Sequence, residues 1–327
     1  MEPRYFEHTD EKTIHCLLCP NSCMIRPEKV GICKVRKNNG STLELPYYGK
    51  LSALSLDPIE KKPLYHFYPG SSILSAGFVG CSFRCPFCQN YRISQDVDAL
   101  TDFFSPEDLV AEAKRRKSFG IAYTYSEPTV HIEYVLDTAR KAREAGIKNV
   151  LVSNGYLMPD PADELLDVID AANVDLKCFT EEFYVKEIGG KLEPVLEFIA
   201  KASRKTSLEV ATLIIPGKND SEEEMESSAE YLAELDPDIP LHLSCYYPTY
   251  KYSIPPTEAE LVARLADVAR RHLNYVYLGN VGLRETNTEC PSCGSLLIRR
   301  GGYSTTVLGL QEGKCRSCGK EIPIPVS

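Results

Sequence analysis

From residue 72 onward the chain alternates short apolar runs with helical patterns, and that alternation limits the architectures open to it. Runs of strand character lie at 72–79, 119–124, 148–153, 173–178, 207–215, 240–245 and 275–278. Between them helical patterns follow Ser105-Pro106-Glu107-Asp108 and recur near 128–145 and at 160–171, 221–235 and 257–273. Ser105 suits an N-cap, Pro106 the first helical position, and the two acids the first turn. Repeated β–α units of this length predict parallel strands with helices outside. Six of them predict an α/β fold with a partial (β/α)6 barrel.

Function in a β/α barrel gathers at the C-terminal ends of the strands, so the residues just after each strand form one set. The first strand delivers Cys81-Ser-Phe-Arg-Cys85-Pro-Phe-Cys88. The next ends lead into Tyr123-Thr-Tyr-Ser126-Glu127-Pro128-Thr129, Ser153-Asn154-Gly155-Tyr156, Asp175-Leu176-Lys177, Ile215-Pro216-Gly217 and Ser244-Cys245-Tyr246-Tyr247. Acids, amides and a lysine in apolar contexts at one end favour a ligand site over plain turns. Three cysteines spaced CxxxCxxC can bring their thiolates into one small volume, which suits three corners of a cubane iron–sulfur cluster. Such a cluster usually takes four cysteines, so three leave one iron open to a small molecule. A structural zinc loop or unrelated thiols are the alternatives, but no fourth ligand of zinc-site spacing lies nearby.

The remaining cysteines also come in groups. Of thirteen, four lie at Cys16, Cys19, Cys23 and Cys33, and four at Cys290, Cys293, Cys315 and Cys318. No apolar stretch is long enough to span a bilayer and the polar opening lacks a signal peptide's apolar region, so a cytoplasmic location is expected, without membrane partners. In that setting the cysteines read as metal ligands or free thiols rather than disulfides. For the first group zinc comes before an auxiliary iron–sulfur cluster, with His15 as a substitute ligand and reduced loop thiols as the plain reading. In the last group, two CxxC knuckles flanking a strand-rich segment match a zinc ribbon ahead of an exchangeable disulfide pair or an electron-transfer iron site, with Arg299 and Arg300 expected on its surface and the ribbon able to dock a protein partner. Lys61-Lys62 reads as a solvated turn. The net charge of −9 argues against a nucleic-acid partner. The expected division is a cysteine-rich extension at 1–70, a barrel at 71–283 and a ribbon-like module at 284–327.

The cysteine spacing, with Phe87 before the last thiol, resembles radical S-adenosylmethionine (SAM) enzymes. That resemblance implies a [4Fe–4S] cluster on Cys81, Cys85 and Cys88 whose open iron holds SAM. It also implies reductive cleavage of SAM to methionine and a 5′-deoxyadenosyl radical that abstracts hydrogen. Ser126-Glu127-Pro128, Ser153-Asn154-Gly155 and Asp175-Leu176-Lys177 are similar to motifs of pyruvate formate-lyase-activating enzymes. Cys16-Leu-Leu-Cys19-Pro20 and Tyr277-Leu-Gly-Asn280, added to these, resemble the radical SAM member of the AmmeMemoRadiSam system. SAM contacts are therefore expected from Phe87, Ser126, Glu127, Ser153, Asp175 and Lys177. Glu127 would accept from the SAM ammonium; Asp175 and Lys177 would hold ribose and carboxylate. The same resemblance implies a ferredoxin or flavodoxin as electron donor, and Memo-like and AMMECR1-like proteins as partners. Two departures stand out: a His expected near Tyr247 is missing, and Val210-Ala211-Thr212 stand where an Arg is expected. Two rival readings are a glycyl-radical enzyme activase and a metal-binding scaffold with a structural cluster.

Overall fold

The computed structural model describes residues 2–281, 286–302 and 304–326. The central sheet consists of β1 (Ala53–Pro58), β2 (Ser72–Gly77), β3 (Gly120–Thr124), β4 (Lys148–Ser153), β5 (Ala171–Asp175), β6 (Ser207–Ile214), β7 (Leu241–Cys245) and β8 (Val276–Gly279). The eight strands lie in chain order across the sheet, and all neighbours from β2 to β8 are parallel. Parallel neighbours require crossovers. These carry α1 (Pro106–Arg115), α2 (Ile132–Glu144), α3 (Pro159–Leu166), α4 (Glu193–Lys205), α5 (Glu222–Leu235) and α6 (Ala259–Ala269). Ser105 and Asp108 form a reciprocal capping box at the start of α1, a feature that stabilises a helix by about 1 kcal/mol.

Three features depart from the sequence expectation. α4 was not anticipated, although Val195, Phe198, Ile199 and Ala202 are buried at helical spacing along it and it supplies the crossover from β5 to β6. β5 begins two residues earlier than expected, so Asp175 is its last residue and α3 is correspondingly short. β1 pairs antiparallel with β2, from Ala53 opposite Gly77 to Pro58 opposite Ser72. Its terminal Pro58 is tolerated because proline, lacking an N–H, belongs on an edge strand.

Two basic residues read as solvated are buried. Lys62 is 2% exposed, and its ammonium donates to Asp57 at 2.8 Å. The Tyr125 hydroxyl donates to the same carboxylate at 2.5 Å. Arg300 is 1% exposed, on the covered face of the strand Leu296–Gly301, while Arg299 faces out. Its guanidinium donates to Thr288 Oγ1 at 2.7 Å and to the Tyr65 carbonyl at 2.6 Å, and lies 4.5 Å from the Tyr65 ring centroid. A cation with that many partners is anchored in the interior; it fastens the C-terminal hairpin to the segment before β2. Among the described residues no helix is long and apolar enough to cross a membrane.

Candidate active site

The loop that leaves β2 is shaped by Gly80. Its φ is +82°, and a Cβ there would lie 2.5 Å from the Cys33 carbonyl oxygen, so glycine is required on both counts. The Gly80 amide donates to Ile93 O at 2.8 Å and the Cys88 amide to Cys85 O at 3.2 Å, which folds residues 81–88 back on themselves. The sulfurs have donors of their own. Phe83 N reaches Cys81 Sγ at 3.4 Å, Asn154 Nδ2 reaches it at 3.7 Å, and the Ser94 hydroxyl lies 3.2 Å from Cys88 Sγ. Asn154 Nδ2 also donates to Ser82 Oγ at 3.1 Å. The only sequence signal for this role of Asn154 is its place at a strand end.

Glu127 ties two strand ends together. Its Oε1 accepts from Thr129 N (3.1 Å), Thr129 Oγ1 (2.7 Å) and Ser153 Oγ (2.7 Å), and its Oε2 accepts from Asn154 N (2.9 Å). The expectation of a free carboxylate waiting for an ammonium group therefore meets a carboxylate already holding four protein donors. Burial raises the Glu127 pKa, against the pull of those same hydrogen bonds. Ser126 is different: its buried hydroxyl oxygen makes no hydrogen bond among the described residues. An orphaned polar atom of this kind fits a site that a polar ligand completes.

Asp175 and Lys177 form an ion pair at 2.9 Å, with Asp175 the more exposed partner. Burial opposes the charge on Lys177, but the Asp175 carboxylate, by charge and hydrogen bond, works against it and the Lys177 pKa is raised, so it stays an ammonium. Thr212 Oγ1 donates to Leu176 O at 2.8 Å and Asn219 Nδ2 to Lys177 O at 2.7 Å, fixing this backbone from the next strand. Thr212 thus stands where an Arg was expected and braces the strand end instead. His242 does not supply the missing His near Tyr247. It sits near the start of β7 with Nε2 bonded to Glu209 at 2.7 Å, while Tyr247 is exposed and donates to Asn280 O at 3.2 Å. Phe87 is buried, its ring centroid 5.7 Å from that of Tyr252 and 6.1 Å from that of Phe183. The charge of Glu127 is felt at Cys81, and those of Lys177 and Asp175 at Cys85. The structure therefore brings three of the motif ends to the cysteine loop.

Thiol spacing separates two kinds of metal site. Four thiolates around one tetrahedral ion at about 2.3 Å must lie about 3.8 Å apart. Cys290 Sγ and Cys318 Sγ are 3.6 Å apart, Cys293 Sγ and Cys315 Sγ 3.8 Å, and all four donors lie within 4.8 Å of one another. Among the described residues the one other group so gathered is Glu226, Glu230 and His272, where His272 is already bonded to Glu226 at 2.6 Å. Cys81, Cys85 and Cys88 are not gathered to that degree, which fits thiolates that each bind a different iron of a larger cluster.

His131 steadies the approach to the loop. Its Nε2 donates to Val79 O at 2.7 Å and its ring stacks on Phe78 at 5.0 Å. Burial lowers its pKa to about 4 from 6.5, although the Val79 carbonyl and Glu133 favour protonation. The unfolded chain then binds more protons than the folded one between those values, so the stability contribution is full above pH 6.5 and lost as pH falls towards 4. By pH 5 His131 alone is expected to cost about 2 kcal/mol. Calorimetry at pH 7 and pH 5 checks this: the fall in Tm should shrink in His131→Gln, and an equal fall in both proteins would contradict it.

Comparison with known proteins defines the class. The radical SAM superfamily model matches residues 77–232. The chain is 39% identical over 333 residues to the uncharacterized protein MJ0808 of Methanocaldococcus jannaschii, spanning 99% of each chain. It is 28% identical over 167 residues to the pyruvate formate-lyase 1-activating enzyme of Escherichia coli K12, covering 48% of this chain and 67% of that one. SuiB of Streptococcus suis shares the fold with a TM-score of 0.50 at 14% identity, over 68% of this chain and 52% of SuiB. The chain belongs to the radical SAM superfamily and is a radical SAM enzyme with activating-enzyme homologues. That family implies a [4Fe–4S] cluster and SAM as cofactors, and the cysteine loop, the orphaned Ser126 hydroxyl and the protonated Lys177 fit them.

Proposed function

We propose that the protein cleaves SAM reductively at a cluster held by Cys81, Cys85 and Cys88 and directs the radical at a hydrogen donor. When bound, the cluster and SAM supply the electron transfer and the 5′-deoxyadenosyl radical. The protein's own residues bind and orient. Ser126 offers the polar end of SAM an unused hydroxyl, and Lys177, kept protonated, donates to its carboxylate. The more exposed Asp175 accepts from ribose hydroxyls, and Phe87 with its aromatic neighbours excludes water from the cluster loop. Glu127 acts through Ser153 and Asn154, which it holds at the loop, so it is a positioning residue. The observation that carries this reading is the Asn154 amide, which contacts Cys81 Sγ while its backbone is held by Glu127.

The finer assignments are part of the same reading. We place the chain in the AmmeMemoRadiSam system, with a cysteine-rich extension at 1–70 whose strand β1 joins the sheet of a partial barrel at 71–283, and a zinc ribbon at 284–327 holding zinc on Cys290, Cys293, Cys315 and Cys318. The protein works in the cytoplasm, takes electrons from a ferredoxin or flavodoxin, and shares its substrate with Memo-like and AMMECR1-like partners. The test is electron paramagnetic resonance of the dithionite-reduced protein with and without SAM. A signal that SAM reshapes, and that disappears with Cys81, Cys85 and Cys88, supports an open iron. A reducible cluster whose spectrum saturating SAM leaves unchanged counts against it.

A further inference from the structure

The N-terminal cysteines are not used by the site above. Cys16 ends the strand Ile14–Cys16, Cys19 and Cys23 follow in the next turn, and Cys33 lies on the loop that returns beneath them. Cys16 N donates to Cys23 O at 2.9 Å, and Ile32 N donates to Cys23 Sγ at 3.4 Å, which draws the Cys33 loop onto the Cys23 side. A Cβ on Gly31 would meet Cys23 Sγ at 3.5 Å. Ser22 N donates to Cys19 O at 3.0 Å, closing the turn that carries the chain from Cys19 back to Cys23, so these bonds draw the four cysteines into one neighbourhood. Cys16 and Cys33 are buried, and Cys19 and Cys23 are half-buried.

Yet these four do not share the spacing of the C-terminal four. The latter stand ready for one tetrahedral ion, whereas Cys16, Cys19, Cys23 and Cys33 are not among the groups whose donors fall within 4.8 Å of one another. Four thiolates collected around one neighbourhood but held apart match a polynuclear centre, in which each binds its own metal atom and inorganic sulfide fills the space between. Of the two expectations for this site, zinc or an auxiliary iron–sulfur cluster, that spacing favours the cluster.

The neighbourhood is also fastened to the central cysteine loop. Asn21 Nδ2 donates to Ser82 O at 2.8 Å, and the Cys33 carbonyl lies against Gly80. Residues 80 and 82 flank Cys81 on either side. The Arg84 charge, from the same loop, is felt at Cys23.

We infer that Cys16, Cys19, Cys23 and Cys33 hold a second iron–sulfur cluster, seated against the loop of the first. This assignment does not depend on SAM chemistry, and its test does not use SAM. The full chain is reconstituted anaerobically with iron and sulfide, and iron, sulfide and zinc are counted, with Mössbauer spectra to type the clusters. Two cubane clusters give about eight iron and eight sulfide per chain, against about four if the central site is alone. The variant with Cys81, Cys85 and Cys88 all changed to Ala is expected to keep roughly half the iron and a reducible cluster signal. Adding Cys19→Ser and Cys33→Ser should then remove both. About four iron with two zinc in the unaltered chain overturns the inference, as does a folded triple variant without iron. The count on the unaltered chain decides the matter even where a variant does not fold.

Discussion

Glu133→Ala will destabilise the protein by about 3–5 kcal/mol, the largest loss expected from a single substitution outside the cysteines. Glu133 and Arg36 have side chains only 2% and 1% exposed. Arg36 Nη1 donates to both Glu133 oxygens, at 3.0 and 2.9 Å, while Nη2 donates to the Arg4 carbonyl. Arg4 N donates back to Glu133 Oε1 at 3.0 Å. Burial opposes the charge on Arg36, but Glu133 outweighs it and keeps the guanidinium ionised. Removing the carboxylate leaves that cation buried without a counter-charge, and the cation cannot shed its proton. The same pair joins the cysteine-rich N-terminus to α2, so the loss should also loosen the segment that covers Gly80. Denaturant unfolding measures the effect. Arg140→Ala is the control: it breaks the solvent-accessible Arg140–Glu164 pair and should cost at most about 1 kcal/mol. Equal losses for the two variants would contradict the burial argument.

Much of the fold was legible because parallel strands covered on both faces read as continuous apolar runs, and six of the seven parallel strands fall within a residue or two of their expected places. β1 escaped notice because Leu54 and Leu56 alternate with Ser55 and Asp57 over a short span amid turn residues, and only pairing with β2 makes a strand of it. α4 carries a legible signal in the helical spacing of its buried stripe, Val195, Phe198, Ile199 and Ala202. The site divides similarly. The cysteine groups declare themselves by spacing along the chain. The state of a charged side chain does not, since it depends on which partners the fold brings to it. Lys62 and Arg300 look like surface cations until Asp57 and Tyr125, or Thr288 and Tyr65, are brought to them. Glu127 looks like a free ligand until the third motif end arrives 26 residues later with Ser153. The contrast between the two four-cysteine sites was hidden for the same reason: both are dense in thiols, and only the fold sets the distances between them.

The largest functional effect is expected at the central cysteines. On the proposed reading each thiolate would hold a different iron, so replacing all three would remove the cluster rather than weaken it, and with it the electron that cleaves SAM. Cys290 and Cys315 of the C-terminal group lie in a separate hydrophobic cluster with Leu297, Ile298 and Leu310, so the fold of the C-terminal module should survive. The most direct measurement is therefore 5′-deoxyadenosine formed by anaerobically reconstituted protein with SAM and dithionite, set against the Cys81, Cys85, Cys88→Ala variant. The account predicts product from the unaltered chain and only the enzyme-free background from the variant. Equal product from both, or none from unaltered protein whose central cluster is verified and reducible, would contradict it.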